Sequence, residues 1–264
     1  MAYTTEHLPH TATAKNVTYH IEALSNWWGA KTLSAVNAKA CRAYAQTRTP
    51  AGARRDLETL RAAIGHWHRE YGPLPSVPIV ILPPSPPPRD KWLTRSEAAR
   101  LLRAAKRVEH LKRFILLGLH TGSRSNSILS LTWDRIDFAA GVMMRRGYGE
   151  TESRTKKTPP VRLSRRTLLF LRRWKALDGV HHSSKYVVHW KGQRIRQLTR
   201  AWISAARNAG VRATPHTLRH TRATWLMQAG IDPYEAAGHL GMNLVTLQKY
   251  AKHHPDFQKR AAEV

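Results

Sequence analysis

The stretch VPIVILPPSPPPRDKW, residues 77–92, decides first what this chain can become. Five prolines between 83 and 88 cannot continue a helix, because each lacks an N–H and has its φ fixed by the ring. They favour an extended, semi-rigid connector. The 264 residues therefore read as two folding units, 1–82 and 91–264, joined by a linker at 83–90.

The first unit reads as all-helical. VTYHIEALSNWWG, AVNAKACRAYAQ and AGARRDLETLRAAIGHWHREYG carry apolar residues at three-to-four spacing. In the last of these Leu57, Leu60, Ile64 and Trp67 form the stripe, and Gly72-Pro73 ends it. The second unit is mixed. TRSE at 94–97 has the capping-box form, and HLKRFILLGLHTG is a more apolar helix ending at Gly122. RIDFAAGVMMRR reads as two short strands about a tight turn, and PPVRLS as a third. TESRTKKT is then the basic tip of a hairpin. SRRTLLFLRRWKAL returns to helix, with Leu168, Leu171 and Trp174 on one side. The expected fold is mainly α with a small antiparallel β-sheet in the second unit. Trp133, Trp174, Trp190, Trp202 and Trp225 lie at helical spacing from apolar neighbours and are read as core.

Charge narrows the function. Lys plus Arg number 44 against 17 acids, a net charge of +27, which implies a polyanionic partner, nucleic acid before any other. The excess is uneven: residues 1–89 hold ten Lys/Arg and five Asp/Glu, residues 90–264 hold 34 and 12. The second unit is therefore expected to meet most of the backbone charge. In the first, Arg54, Arg55, Arg61 and Arg69 are candidate phosphate contacts, each equally readable as a solvated helix face. No long basic amphipathic helix offers an apolar face to lipid, and the longest apolar run, FILLGL, is too short to span a bilayer. With no signal-peptide-like run, a cytoplasmic protein is expected. Cys41 stands alone, so an internal disulfide is excluded. No ligand cluster for a metal is evident, and the His pairs at 181–182 and 253–254 are read as solvated or DNA-facing.

The last fifty residues carry the sharpest pattern. TPHTLRHTRATWLMQAG opens a helix that Thr214 can cap, with Pro215 in its first turn. His216, Arg219 and His220 share one face, which continues as Ala223, Leu226 and Met227. Cations at a helix N-terminus oppose its dipole, and a bound phosphate would resolve the conflict. Asp232 caps a short second helix. A third starts from Asn243 and carries Tyr250 on the edge of its buried side. Helix–turn–helix at 214–242 could pass for a DNA reader without chemistry, but LVTLQKYAK offers only Gln248 and lysines toward bases.

Taken in order, five segments resemble the tyrosine recombinases, the phage integrase family. LHTGSRSNSILSLTW is similar to the first arginine box, with Arg124 in the arginine position. TKKTPPVRLS resembles the hairpin lysine segment, with Lys156 the better match, Lys157 the fallback and Arg154 a neighbouring DNA contact. HTLRH supplies His216 and Arg219, AGHLGM resembles the segment of the later histidine, and LQKYAKHHPD the tyrosine helix. The resemblance spans roughly residues 90–258, and the helical unit before the linker matches the family's core-binding domain in type and position. Two departures stand out. Ser127 replaces an acid three places after Arg124, and His239 lies farther before Tyr250 than usual, with Met242 near the histidine's place. Either His239 fills that role or the position is apolar and the role is lost.

The resemblance implies a site-specific recombinase acting on double-stranded DNA. Arg124 and Arg219 would clamp the scissile phosphate and Tyr250 attack it, with His216 as base. Lys156 would protonate the leaving 5′ oxygen, and His239 donate to a nonbridging oxygen. The product would be a 3′-phosphotyrosyl link formed without metal, ATP or cofactor. It further implies assembly as a homo-tetramer on DNA, the two units gripping a short site from two sides, with accessory proteins that bend the DNA as further partners. A type IB-like topoisomerase and a decayed integrase that only binds DNA are the rivals.

Overall fold

The computed structural model describes residues 2–11, 14–85, 91–146, 158–181, 183–254, 257 and 262. The chain divides into two compact units, Met1–Arg89 and Asp90–Val264. No helix among the described residues is long and apolar enough to cross a membrane.

The first unit holds α1 (Ala2–His7), α2 (Ala14–Trp28), α3 (Ala38–Gln46) and α4 (Pro50–Glu70). Asn37 and Thr49 cap α3 and α4 by accepting the Ala40 and Gly52 amides, and Pro50 occupies the first position of α4. Leu24, Trp28, Cys41, Tyr44, Leu57 and Ile64 form the core. The predicted stripe of α4 runs one turn too long. Trp67 is 45% exposed and stacks on Tyr71 at 4.4 Å, because α4 extends beyond the edge of that core.

Asp56 is wholly buried and ties three segments together. Its carboxylate accepts from Tyr44 Oη at 2.8 Å and Arg48 Nε at 2.9 Å, and meets His20 Nδ1 at 2.6 Å. Burial, reinforced by this carboxylate, raises the Tyr44 phenol well above its ordinary value. Asp56→Asn keeps the shape and removes the charge. It is expected to cost about 2 kcal/mol, the scale of a charge-assisted hydrogen bond. A urea midpoint equal to wild type would mean that these contacts contribute nothing in solution.

The second unit runs α5 (Arg95–Ala104), α6 (Glu109–Thr121), α7 (Ser125–Leu129), β1 (Ile136–Asp137), β2 (Val142–Met143), β3 (Val161–Arg162), α8 (Arg165–His181), β4 (His189–Trp190), β5 (Gln193–Arg194), α9 (Thr199–Asn208), α10 (Thr217–Gln228), α11 (Pro233–Leu240) and α12 (Leu244–Leu247). A 3₁₀ stretch, Gln248–His253, follows α12. The capping box at Thr94–Glu97 forms in both directions. The sheet is antiparallel in the order β1-β2-β3, with Ile136 opposite Met143 and Val142 opposite Arg162. The β4–β5 hairpin is an element the sequence reading lacked. Trp190, expected in the core, is 58% exposed on it, where His110 meets it edge-on and Lys191 Nζ lies over its ring.

Two clusters pack this unit, and α10 belongs to both. Leu218 and Trp225 join Leu111, Phe114, Ile115, Leu171, Trp174 and Trp202 in the larger one. Ala223, Leu226 and Met227 join Ala236, Leu240, Leu247 and Tyr250 in the smaller. Tertiary bonds hold α10 in place as well: Thr221 Oγ1 accepts the Leu93 amide at 2.9 Å, and Trp225 Nε1 donates to the Leu93 carbonyl at 3.0 Å. Arg113 of α6 grips Asp178 of α8 in a buried fork at 2.7 and 2.8 Å.

Candidate active site

The start of α10 differs from the sequence expectation. Thr214 and Pro215 form a preceding turn, closed by the Thr217 amide on the Thr214 carbonyl at 2.9 Å, and His216 takes the cap position without a side-chain cap. Thr214 lies two residues before that cap position, and its hydroxyl meets that of Thr217 at 3.2 Å.

Arg219, 5% exposed, is held by the ends of two other helices. α6 stops at Gly122 (φ 61°) and α11 at Gly241 (φ 59°), in the left-handed region that a side chain disfavours. A Cβ on Gly122 would also lie 2.4 Å from Leu240 Cδ2. Arg219 Nη1 donates to the Gly122 carbonyl at 2.7 Å and the Leu240 carbonyl at 2.6 Å, and Nη2 to Gly241 at 3.1 Å. The cation at the positive end of α10 thus sits on the negative ends of α6 and α11. Of five N–H groups, these bonds leave two for a ligand. Burial, then the neighbouring Arg124, pushes its pKa down to about 10, so it keeps its charge at neutral pH.

A cavity of about 650 Å³ opens before it, lined by Arg124, His216, Arg219, His220, Met242 and Tyr250 among others. Arg124 enters from the turn between α6 and α7. Tyr250 is 6% exposed; its ring packs in the smaller cluster while its hydroxyl meets His220 Nδ1. His216 packs edge-on against His220, with centroids 4.6 Å apart. Burial, followed by Arg219 and Arg124, lowers the His216 pKa, so this imidazole is neutral at pH 7 and able to take a proton.

Four expected site residues, Arg124, His216, Arg219 and Tyr250, share this cavity. His239 does not. On α11 one residue step turns the side chain by about 100°, and the helix shows Ala237 and Gly238 to this cavity while the His239 ring faces the other side. Its Nε2 lies 3.4 Å from the His120 carbonyl and 3.4 Å from Arg222 Nη2. The wall near Tyr250 carries Met242 instead, the apolar alternative. Lys156, Lys157 and Arg154 lie outside the described residues. In the first unit Arg54 and Arg61 donate to the Pro83 and Val80 carbonyls, both at 2.6 Å, so they pin the first proline of the linker and the segment leading into it. Arg55 is exposed and pairs with Glu58 at 3.0 Å. Of the paired histidines, His253 packs edge-on against Trp92 rather than standing in solvent.

Two residues near the site had no role in the expected chemistry. His220, the partner of Tyr250, was legible as the i+4 neighbour of His216. Arg145 had no signal, being one of two adjacent arginines after a strand. It is 2% exposed and bonds Ser123 Oγ at 3.0 Å, the Thr121 carbonyl at 2.8 Å, the Pro159 carbonyl at 3.2 Å and the His239 carbonyl. It therefore ties the turn carrying Arg124 to the segment before β3 and to α11. Burial, with Arg219 and Arg124 adding to it, lowers its pKa to about 9.

His120 and His239 are both pushed down to about 4, first by burial and then by Arg222. Unfolded histidine protonates near 6.5, so as pH falls the unfolded chain takes up these protons first. Their contribution to stability is complete above about pH 6.5 and is lost on acidification toward pH 4. His239→Gln is expected to flatten the melting-temperature profile across that window. Identical slopes for the variant and wild type would rule it out.

Comparison with known proteins follows the same lines. Residues 91–256 match the model of the phage integrase family. The chain is 29% identical over 188 residues to the integrase of Salmonella phage P22, covering 66% of this chain but 46% of that one. It is 29% identical over 265 residues to tyrosine recombinase XerA of Thermococcus kodakarensis, covering 97% and 89%. Among solved structures, a lambda integrase dimer bound to a COC′ core site superposes with a TM-score of 0.75 at 17% identity, covering 95% of this chain and 76% of that one. The Tn1549 transposon integrase in complex with transposon right end DNA gives 0.73 at 17% identity, covering 99% and 97%. The chain belongs to the phage integrase family, the tyrosine recombinases.

Proposed function

We propose that this protein is a site-specific DNA recombinase that cuts and rejoins strands through a 3′-phosphotyrosyl intermediate on Tyr250. The observation that carries the reading is the contact between Tyr250 and His220 in a cavity that also holds Arg124 and Arg219. A phenol is a weak nucleophile until its proton is taken; in this reading His220, which meets the Tyr250 hydroxyl, takes it in place of His216, the base that the resemblance implied. Attack of Tyr250 Oη on phosphorus forms the Tyr–O–P bond and breaks the P–O5′ bond. Lys156 returns a proton to the leaving oxygen. Arg124 and the two free N–H groups of Arg219 receive the charge that builds on the nonbridging oxygens, which planar guanidinium forks do well. Those cations supply the electrostatic stabilisation, so the reaction as proposed calls on neither metal nor ATP. Because the link conserves bond energy, a second 5′ hydroxyl can attack it.

We assign the unit before the linker to the core-binding role and the unit after it to catalysis. The lambda integrase structures similar to this fold include a dimer on a core site and a tetramer bound to a Holliday junction. Assembly as a tetramer on DNA is the corresponding proposal here, with DNA-bending accessory proteins as partners. A second reading, binding without cleavage, draws on Met242, a thioether where a hydrogen-bond donor would aid the transition state.

The test is covalent capture. Wild type is incubated in EDTA with nicked duplexes carrying candidate sites, so that a cleaved fragment diffuses away. An adduct on the peptide containing Tyr250 supports the proposal, whereas tight binding with no adduct selects the binding-only reading. Relaxation of supercoiled DNA lacking any site would assign a topoisomerase instead. His220→Gln is expected to slow capture by about a hundredfold, the low end of general-base effects.

A further inference from the structure

Behind α11, on the side to which His239 turns, lies a second cavity of about 660 Å³ with no role in the chemistry above. Four arginines line it: Arg95, Arg162, Arg166 and Arg222. Among the described residues no carboxylate lines the cavity, and none pairs with any of these four. The inner one is the telling one. Arg222 Nε is buried with no hydrogen-bond partner among the described residues, and its Nη2 reaches only His239 Nε2, at 3.4 Å. Arg222 is half-buried, and its enclosed Nε, facing a neutral imidazole and further arginines, is costly to leave unpaired unless an anion joins it. Burial and the nearby Arg95 lower its pKa accordingly.

Two more features favour an anion with an apolar body. Ser164 and Thr167 place the N-terminus of the 17-residue α8 at the cavity, adding the positive end of its dipole. The floor is hydrophobic, built from Leu102, Leu116, Leu119 and the Trp225 ring, over which Arg95 stacks at 3.6 Å. The volume falls in the ordinary range for small-molecule sites. We propose that this cavity binds a small organic phosphate, its oxyanion on Arg222 and Arg95 and its apolar body against the leucine floor, separately from the Tyr250 site.

The experiment uses the full chain and 1-naphthyl phosphate as probe, by isothermal titration calorimetry. Arg222→Gln and the exposed Arg95→Gln are each expected to weaken binding about tenfold, as loss of a charge-assisted contact should. Arg124→Gln, in the other cavity, should leave it unchanged. Inorganic phosphate, with no body for the floor, should bind about tenfold more weakly. Three results would overturn the proposal. The probe fails to bind, its binding follows Arg124 rather than Arg222 and Arg95, or a short duplex displaces it one for one, which would make the cavity part of the DNA surface. Arg95 lies at the rim, so its variant stays informative even if Arg222→Gln folds poorly.

Discussion

With phenylalanine at position 250, covalent capture of DNA is expected to fall to background while binding to the same DNA persists. The substitution removes one oxygen. The ring stays packed in the cluster with Ala223, Met227 and Leu247, and the contact with His220 that the hydroxyl gives up is worth about 1 kcal/mol. The arginines that would hold phosphate are untouched. Gel shift and melting temperature should therefore match wild type closely while mass spectrometry finds no nucleotide on the peptide. An adduct that survives in Tyr250→Phe would place the nucleophile elsewhere and remove the basis of the proposed mechanism.

What the sequence discloses about such a site depends on how each residue is held. Caps and turns are local, so Thr94–Glu97, Asp232 and Asn243 were read from neighbours three or four residues away and form as read. The face bearing His216 and Arg219 follows from helical period alone, and so does His220, though its partnership with Tyr250 needs the return of the chain thirty residues later. Other features are decided at long range. Nothing local says that Arg219 rests on the last carbonyls of α6 and α11, or that Arg145 is buried among backbone oxygens. His239 shows the reverse limit. The resemblance marked its segment, but a side chain's direction on α11 is fixed by helical phase, and one step past Gly238 carries it into the other cavity. Arg54 and Arg61 read as phosphate contacts by charge, yet in the fold each also donates to a carbonyl at or just before the start of the linker, Pro83 and Val80.

Arg219→Ala should strike both stability and rate, unlike Tyr250→Phe. Three carbonyls at two helix ends lose their shared donor at once. Water can enter from the open cavity and replace part of it, so the expected loss is about 1–3 kcal/mol rather than the full cost of three orphaned acceptors. The rate of covalent capture should drop by about 10²–10³, the usual effect of deleting one electrostatic donor to a developing oxyanion. Arg219→Lys keeps a charge but is a single point with no fork. It cannot span two helix ends and also reach a phosphate, so it should recover some stability and little rate. Guanidinium ion added to Arg219→Ala should restore part of the lost rate, because the cavity that held the side chain remains open. Wild-type capture by Arg219→Ala would mean that this arginine serves only the fold, and Arg124 would then have to carry the phosphate without it.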